Sequence, residues 1–231
     1  MGVISTKDLH KVYTETKIPV KALNGISLTI EEAEFTAIVG PSGSGKTTLL
    51  NMLGGLDMPT SGEVHINGTN ITSLPSRRMI DFRLHNIGFV FQSFNLIPVL
   101  TARENVEFIL QLQGVSKNER QMRAIELLEA VGLPDKIDNR PGDLSGGQQQ
   151  RVSVARALAS RPRFILADEP TANLDSKSTA ELLDIMMRMN EQYKTTFVFS
   201  THDPRVMERA RRIITIEDGK VARDEILVHS S

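Results

Sequence analysis

The chain holds 231 residues, a length that suits one domain, or one domain carrying an inserted lobe, rather than two independent cores. A hydrophobic fraction of 40% and a charged fraction of 24% exclude a disordered or fibrous chain. Lys and Arg total 27 against 28 Asp and Glu, which leaves no basic field for gripping nucleic acid, and the absence of Cys excludes disulfides, thiolate metal sites and cysteine nucleophiles. The opening MGVISTKDLHK carries charge at Lys7 and Asp8 before any apolar stretch, so no signal peptide is expected. The longest uncharged run, Leu84 to Ala102, contains Asn86, Gln92, Asn95 and Pro98 and is too polar to span a membrane.

In chain order, the first buried-strand pattern is Phe35 to Val39, and the surrounding amino-terminal third, with Val64, Ile66, Ile71 and the turn Asn67-Gly68, predicts antiparallel hairpin structure. A second apolar run follows at Ile87 to Phe91. The section from Thr101 to Arg161 has helical periodicity and no strand; Met122, Ile125, Leu127, Leu128 and Val131 form its predicted apolar stripe, with Glu119, Arg123 and Glu126 off it. Further short runs lie at Phe164 to Ala167, Thr196 to Phe199 and Ile213 to Ile216. The alternation predicts an α/β fold with a mostly parallel sheet, an antiparallel β subdomain and an inserted α-helical subdomain at about 101–161.

The sequence GPSGSGKTT directly follows the strand Phe35 to Val39 and opens a helix, the context a phosphate-binding loop needs. Its members are Gly40, Pro41, Ser42, Gly43, Ser44, Gly45, Lys46, Thr47 and Thr48. The glycines let backbone N–H groups turn around an anion, and the helix start adds its positive end. Lys46 is expected on the β- and γ-phosphates of ATP and the Thr47 hydroxyl on Mg²⁺. The run Phe164 to Ala167 ends in Asp168-Glu169: an Asp there holds Mg²⁺, while the adjacent Glu, pointing elsewhere because strand side chains alternate, serves as general base. These features predict a P-loop NTPase core that hydrolyses ATP.

Leu144-Ser145-Gly146-Gly147-Gln148, followed by QQRVSVARAL, resembles the signature of the ATP-binding cassette family, and the resemblance runs from roughly Val3 to Arg223. Tyr13, GPSGSGKTT, Gln92, the signature, Asp168-Glu169, Asp175 and His202 stand in the family's order. The resemblance implies one ATPase domain over 1–231, with Tyr13 stacked on adenine, Gln92 on Mg²⁺ and the attacking water, and His202 on the γ-phosphate. It also implies a homodimer closed head to tail around two ATP molecules. Ser145 is a good helix N-cap, and the Gly146 and Gly147 backbone, with Gln148, makes a second anion site that a partner's γ-phosphate would fill. Asp175 fits either a loop communicating across that dimer or a plain N-cap. His10, His65, His85 and His229 have no expected role. The family commonly has Gly where this chain has Ala33, so a modified turn is expected there.

The stretch Ile87 to Glu107 is similar to cassettes that serve lipoprotein-release and macrolide-export systems. That implies a separate transmembrane permease subunit as partner and a place at the cytoplasmic face of the membrane. Phe94, Leu96, Ile97, Val99 and Leu100 are candidates to receive a permease helix, against the alternative of internal packing. An importer cassette and a DNA-maintenance ATPase are the other readings; the latter needs a long coiled coil between Lys46 and Ser145, where no sustained heptads occur.

Overall fold

Two sheets carry the fold of the computed structural model, which describes residues 2–14 and 18–227; His229 lies outside them. The chain enters through β1 (Ile4–Tyr13) and β2 (Val20–Ile30), then β3 (Phe35–Val39) and helix α1 (Lys46–Leu53). Next come β4 (Ser61–Ile66), β5 (Thr69–Asn70), α2 (Ser76–Asn86) and β6 (Ile87–Phe91). Helices α3 (Ala102–Leu112), α4 (Lys117–Ala130) and α5 (Gly146–Ala159) precede β7 (Phe164–Asp168). The remainder is α6 (Ser176–Tyr193), β8 (Thr196–Ser200), α7 (Pro204–Arg209), β9 (Arg212–Glu217) and β10 (Lys220–Ile226).

The larger sheet has the order β10-β9-β3-β8-β7-β6, parallel throughout except for the β10 edge. Strand β3 is buried at all five positions because helices or the second sheet cover both its faces. On one face Phe35, Phe197 and Phe199 pack together and meet Val106, Leu127, Val152 and Leu182 from the helices. On the other, Ile38, Leu166 and Val198 meet Leu49 and Leu53 of α1 and Val64 and Ile66 of the antiparallel sheet β2-β1-β4-β5. The hairpin turn is made by Asn67 at φ 48° and Gly68 at φ 77°, the paired left-handed residues a two-residue hairpin requires. Ile71 is not part of that hairpin; it opens a short 3₁₀ turn and is buried.

Helix α4 corrects one expectation. Met122 is 71% exposed, and the buried positions are Ala124, Leu127, Leu128 and Val131, at helical spacings i, i+3, i+4 and i+7. Met122 points away from that stripe, while Arg123 turns inward over the Tyr193 ring. Ala33 adopts φ 60°, the left-handed turn that Gly accepts without strain. Its N–H donates to Thr196 Oγ1 and its carbonyl accepts from Asn190 Nδ2, and these bonds hold the turn.

Candidate active site

Parallel strands β3, β6, β7 and β8 release their loops at one edge of the sheet, where open α/β sheets bind ligands. After β3, Gly40 at φ 150° and Gly45 at φ 106° leave no room for a side chain. A Cβ would stand 2.1 Å from Ile216 O at the first and 2.4 Å from Ala22 O at the second. Gly43, at φ 78°, faces open space. Gly45 caps α1 without a side-chain acceptor, so the first N–H groups of the helix stay free for an anion. Lys46 is buried, its ammonium donating to Gly40 O at 2.9 Å and Pro41 O at 3.0 Å. Pro41, Ser42 and Thr47 are exposed and Thr48 is half-buried, whereas Ser44 Oγ is buried with no hydrogen-bond partner, an orphaned polar atom inside the loop.

Thr47 Oγ1 donates to Asp168 Oδ1 at 3.2 Å, which sets two hard oxygen ligands side by side across 121 residues of sequence. The chain then turns sharply. Glu169 sits at φ 45° with its N–H on Ser200 O, aiming its carboxylate toward the loop after β8. There His202 Nδ1 lies 2.7 Å from Glu169 Oε1, and Thr201 Oγ1 donates to Oε2 at 3.3 Å. His202 is 75% exposed while the Glu169 carboxylate is 19% exposed, so the imidazole stands on the solvent side of a half-sunken acid. Gln92 starts the turn after β6; its side chain is exposed and its carbonyl accepts from Asn173 Nδ2 at 3.1 Å.

The signature lies apart from this group, and no hydrogen bond among the described residues joins it to the phosphate loop. Ser145 Oγ accepts from Gln148 N and Gln148 Oε1 accepts from Ser145 N, a closed capping box. The Gln148 amide oxygen is therefore engaged in its own helix, which leaves its NH2 and the Gly146 and Gly147 N–H groups at the α5 start as donors. Tyr13 closes β1 with its ring half-buried. Asp175 is the N-cap of α6, bonded to Ser178 N and Ser178 Oγ.

Residues 23–172 match the family model described as ABC transporter. The chain belongs to the ABC transporter family. It is 49% identical over 219 residues to an ABC transporter ATP-binding protein of Thermotoga maritima, covering 95% of this cassette and 93% of that relative. A macrolide export ATP-binding/permease protein, MacB, of Syntrophobacter fumaroxidans is 46% identical over 96% of this cassette, which spans only 31% of that longer protein. The solved structure of the ATP-binding cassette MJ0796 in a dimeric post-hydrolysis state bound to ADP and Pi superposes with a TM-score of 0.89. Its identity is 44%, covering 98% of this cassette and all of that chain. The likeness confirms the expected fold, and the chain is an ABC transporter ATPase.

Two polar residues of this cassette stand out in the structure and not in the sequence. Gln150, fully buried in α5, donates through Nε2 to Phe91 O at 3.2 Å and Pro170 O at 2.6 Å, bridging the residues beside Gln92 and Glu169. Asp203 accepts the Thr171 hydroxyl at 2.8 Å and grips Arg205, linking the loop after Glu169 to the loop after His202. Gln150 stands in the run that follows the signature and Asp203 directly after His202, but what each does is set by contacts with segments remote in the chain.

Proposed function

We propose that this chain is the ATP-hydrolysing subunit of an export-type ABC transporter, pairing with a second copy around two ATP molecules to drive a separate membrane permease. The observation that carries the reading is the adjacency of Thr47 with Asp168 and of Glu169 with His202 at one sheet edge, with the signature cap remote in the same chain. In this reading the glycines of the loop and Lys46 cradle the phosphates, and Tyr13 stacks on the base. Thr47, Asp168 and Gln92 would hold Mg²⁺, which supplies charge to offset that of the phosphate oxygens. Glu169 accepts the proton of the attacking water, and His202, bonded to the same carboxylate, keeps it turned toward the phosphate side. Ser145, Gly146, Gly147 and Gln148 form the second half-site, which only another copy can complete.

The relatives named for macrolide export support the export direction and the permease partner. Support for where the permease docks comes from an apolar groove of about 610 Å³ beside the Gln92 loop, with Ile80, Phe89, Ile97, Phe108 and Leu112 among its walls. The apolar cluster expected as a dock divides: Ile97 faces this groove and Val99 is 70% exposed, whereas Leu96 packs on the core. Among the described residues no helix is long and apolar enough to cross a membrane, and a place at the cytoplasmic membrane face through the permease follows from the proposed partner. Glu169→Gln tests the reading. An amide cannot take the proton, so hydrolysis should stop while ATP drives accumulation of dimer on size-exclusion chromatography. Ser145→Arg added to it should return the protein to monomer; a Glu169→Gln protein that stays monomeric at saturating ATP refutes the sandwich.

A further inference from the structure

Tyr13 is gripped from two directions. Its hydroxyl donates to Asp57 Oδ2 at 3.1 Å, and the Lys11 ammonium stands 4.8 Å from its ring centroid. Lys11 is itself fixed: Nζ donates to Asp57 Oδ1 at 2.8 Å and to Met58 O at 2.7 Å, with the side chain only 13% exposed. Asp57 Oδ1 also accepts the Met58 N–H at 2.7 Å. Burial pushes the Asp57 carboxyl up, but the Lys11 ammonium, the Met58 N–H and the Tyr13 hydroxyl outweigh it and hold the group below the usual carboxylate range. The segment that carries Asp57 is laced to β1, since Thr60 N donates to His10 O at 2.8 Å and Val12 N to Thr60 Oγ1 at 2.9 Å. One ionised carboxylate on a fixed loop thus anchors both the rim of the ring and the cation over its face.

We propose that Asp57 is a positioning residue for nucleotide binding, which holds the Tyr13 ring, through its hydroxyl and through Lys11, in the orientation that receives a purine base. The proposal rests on the reading of Tyr13 as the base-stacking residue. A free tyrosine ring loses rotamer freedom when a ligand stacks on it; a ring already tied at its hydroxyl has lost that freedom in the unliganded protein, so binding no longer bears the cost. The ammonium takes one face of the ring, and a stacked base would use the other. Stacking recognises a π-surface rather than exocyclic groups, so the anchor strengthens adenine and guanine nucleotides alike and leaves the bare polyphosphate unaffected.

Isothermal titration calorimetry of the whole chain with ATP, GTP and inorganic tripolyphosphate, each with Mg²⁺, separates these contributions. Asp57→Asn, Asp57→Ala and Tyr13→Phe should each weaken ATP and GTP by about 3- to 10-fold, the cost of ordering one rotamer-rich side chain on binding, with tripolyphosphate affinity unchanged. In a Tyr13→Ala background, Asp57→Ala should add nothing, because a residue acting through the ring has no effect once the ring is gone. Equal loss of ATP and tripolyphosphate would mean damage around α1 and would overturn the proposal, as would Tyr13→Phe and Asp57→Asn both binding ATP like the parent, or a full additive effect in the Tyr13→Ala background. Tyr13→Phe removes only one oxygen, which keeps the test decisive where Asp57→Ala leaves Lys11 unpaired and the fold weakened. A parent protein that binds tripolyphosphate as tightly as ATP refutes the reading of Tyr13 itself, and one that binds neither refutes nucleotide binding.

Discussion

Replacing Asp203 by Asn tests how firmly the loops after β7 and β8 are tied together. The carboxylate accepts the Arg205 N–H at 2.9 Å as the α7 cap, takes the Arg205 guanidinium on both oxygens at 2.7 to 3.2 Å, and accepts the Thr171 hydroxyl at 2.8 Å. The Arg205 guanidinium brings the Asp203 carboxyl down to about 2 against the pull of burial, with help from Thr171 and the Arg205 N–H. Relative to the ordinary 3.8, that preference for the ionised form contributes about 2 kcal/mol of stability at neutral pH. The carboxyl is depressed in the folded state, so the contribution is complete above about pH 4 and is lost as pH falls through about 2. Asp203→Asn should therefore lower the unfolding free energy by about 2 kcal/mol at pH 7 and the melting temperature by about 4–8 °C. Urea unfolding of both proteins from pH 7 downward checks this, since the gap should narrow below pH 4. A gap that holds constant to the lowest pH at which both proteins fold, or a melting temperature unchanged at pH 7, refutes the assignment.

Lys46→Ala removes the loop's fixed cation and should abolish most ATP affinity and all Mg²⁺-dependent hydrolysis, as read by nucleotide titration and phosphate release on one preparation. Undiminished turnover would contradict the phosphate-loop assignment. Ala33→Gly relieves a left-handed alanine while adding freedom to the unfolded chain, for a net gain of about 0.5–1 kcal/mol. The two bonds that hold the turn use main-chain atoms of residue 33 and survive the change, so calorimetry should show a higher melting temperature; a lower one would mean the methyl group packs usefully.

The parallel core was legible because its strands are short runs buried on both faces, as in Phe35 to Val39 and Phe164 to Ala167, where no solvent-facing position dilutes the apolar signal. Strand β1 carries an irregular pattern: Asp8 at φ 45° and the register shifts around Leu9 break the two-residue alternation that marks a half-buried strand. Strand β10 is almost wholly exposed and rich in charge, as suits a sheet edge, and so lacks an apolar pattern to read. Helix α2 buries only Met79, too little for a stripe. In α4 the error was one of phase, since Met122 is as apolar as Leu128, and only the packing partner decides which is inside.

The site divides along the same physical line. The phosphate loop and the signature are legible because their chemistry is in the backbone: Gly40 and Gly45 each stand where a Cβ would strike a carbonyl oxygen, so those positions demand glycine, and a demand of that kind is written locally. Side chains that act by touching distant segments leave no local trace. Asp57 meets Lys11 across 46 residues, Asp203 meets Thr171 across 32, and Gln150 reaches Phe91 across 59. Gln150 shows what such contacts add. One buried amide on the helix that begins at the signature holds the carbonyls beside both Gln92 and Glu169, and a Cβ on Gly147 would stand 2.9 Å from Ser178 Oγ. Interiors packed this closely do not deform independently. The Gln150 amide thus ties the helix that begins at the signature to the segments beside Gln92 and Glu169 within one chain, a link that sequence spacing alone does not reveal.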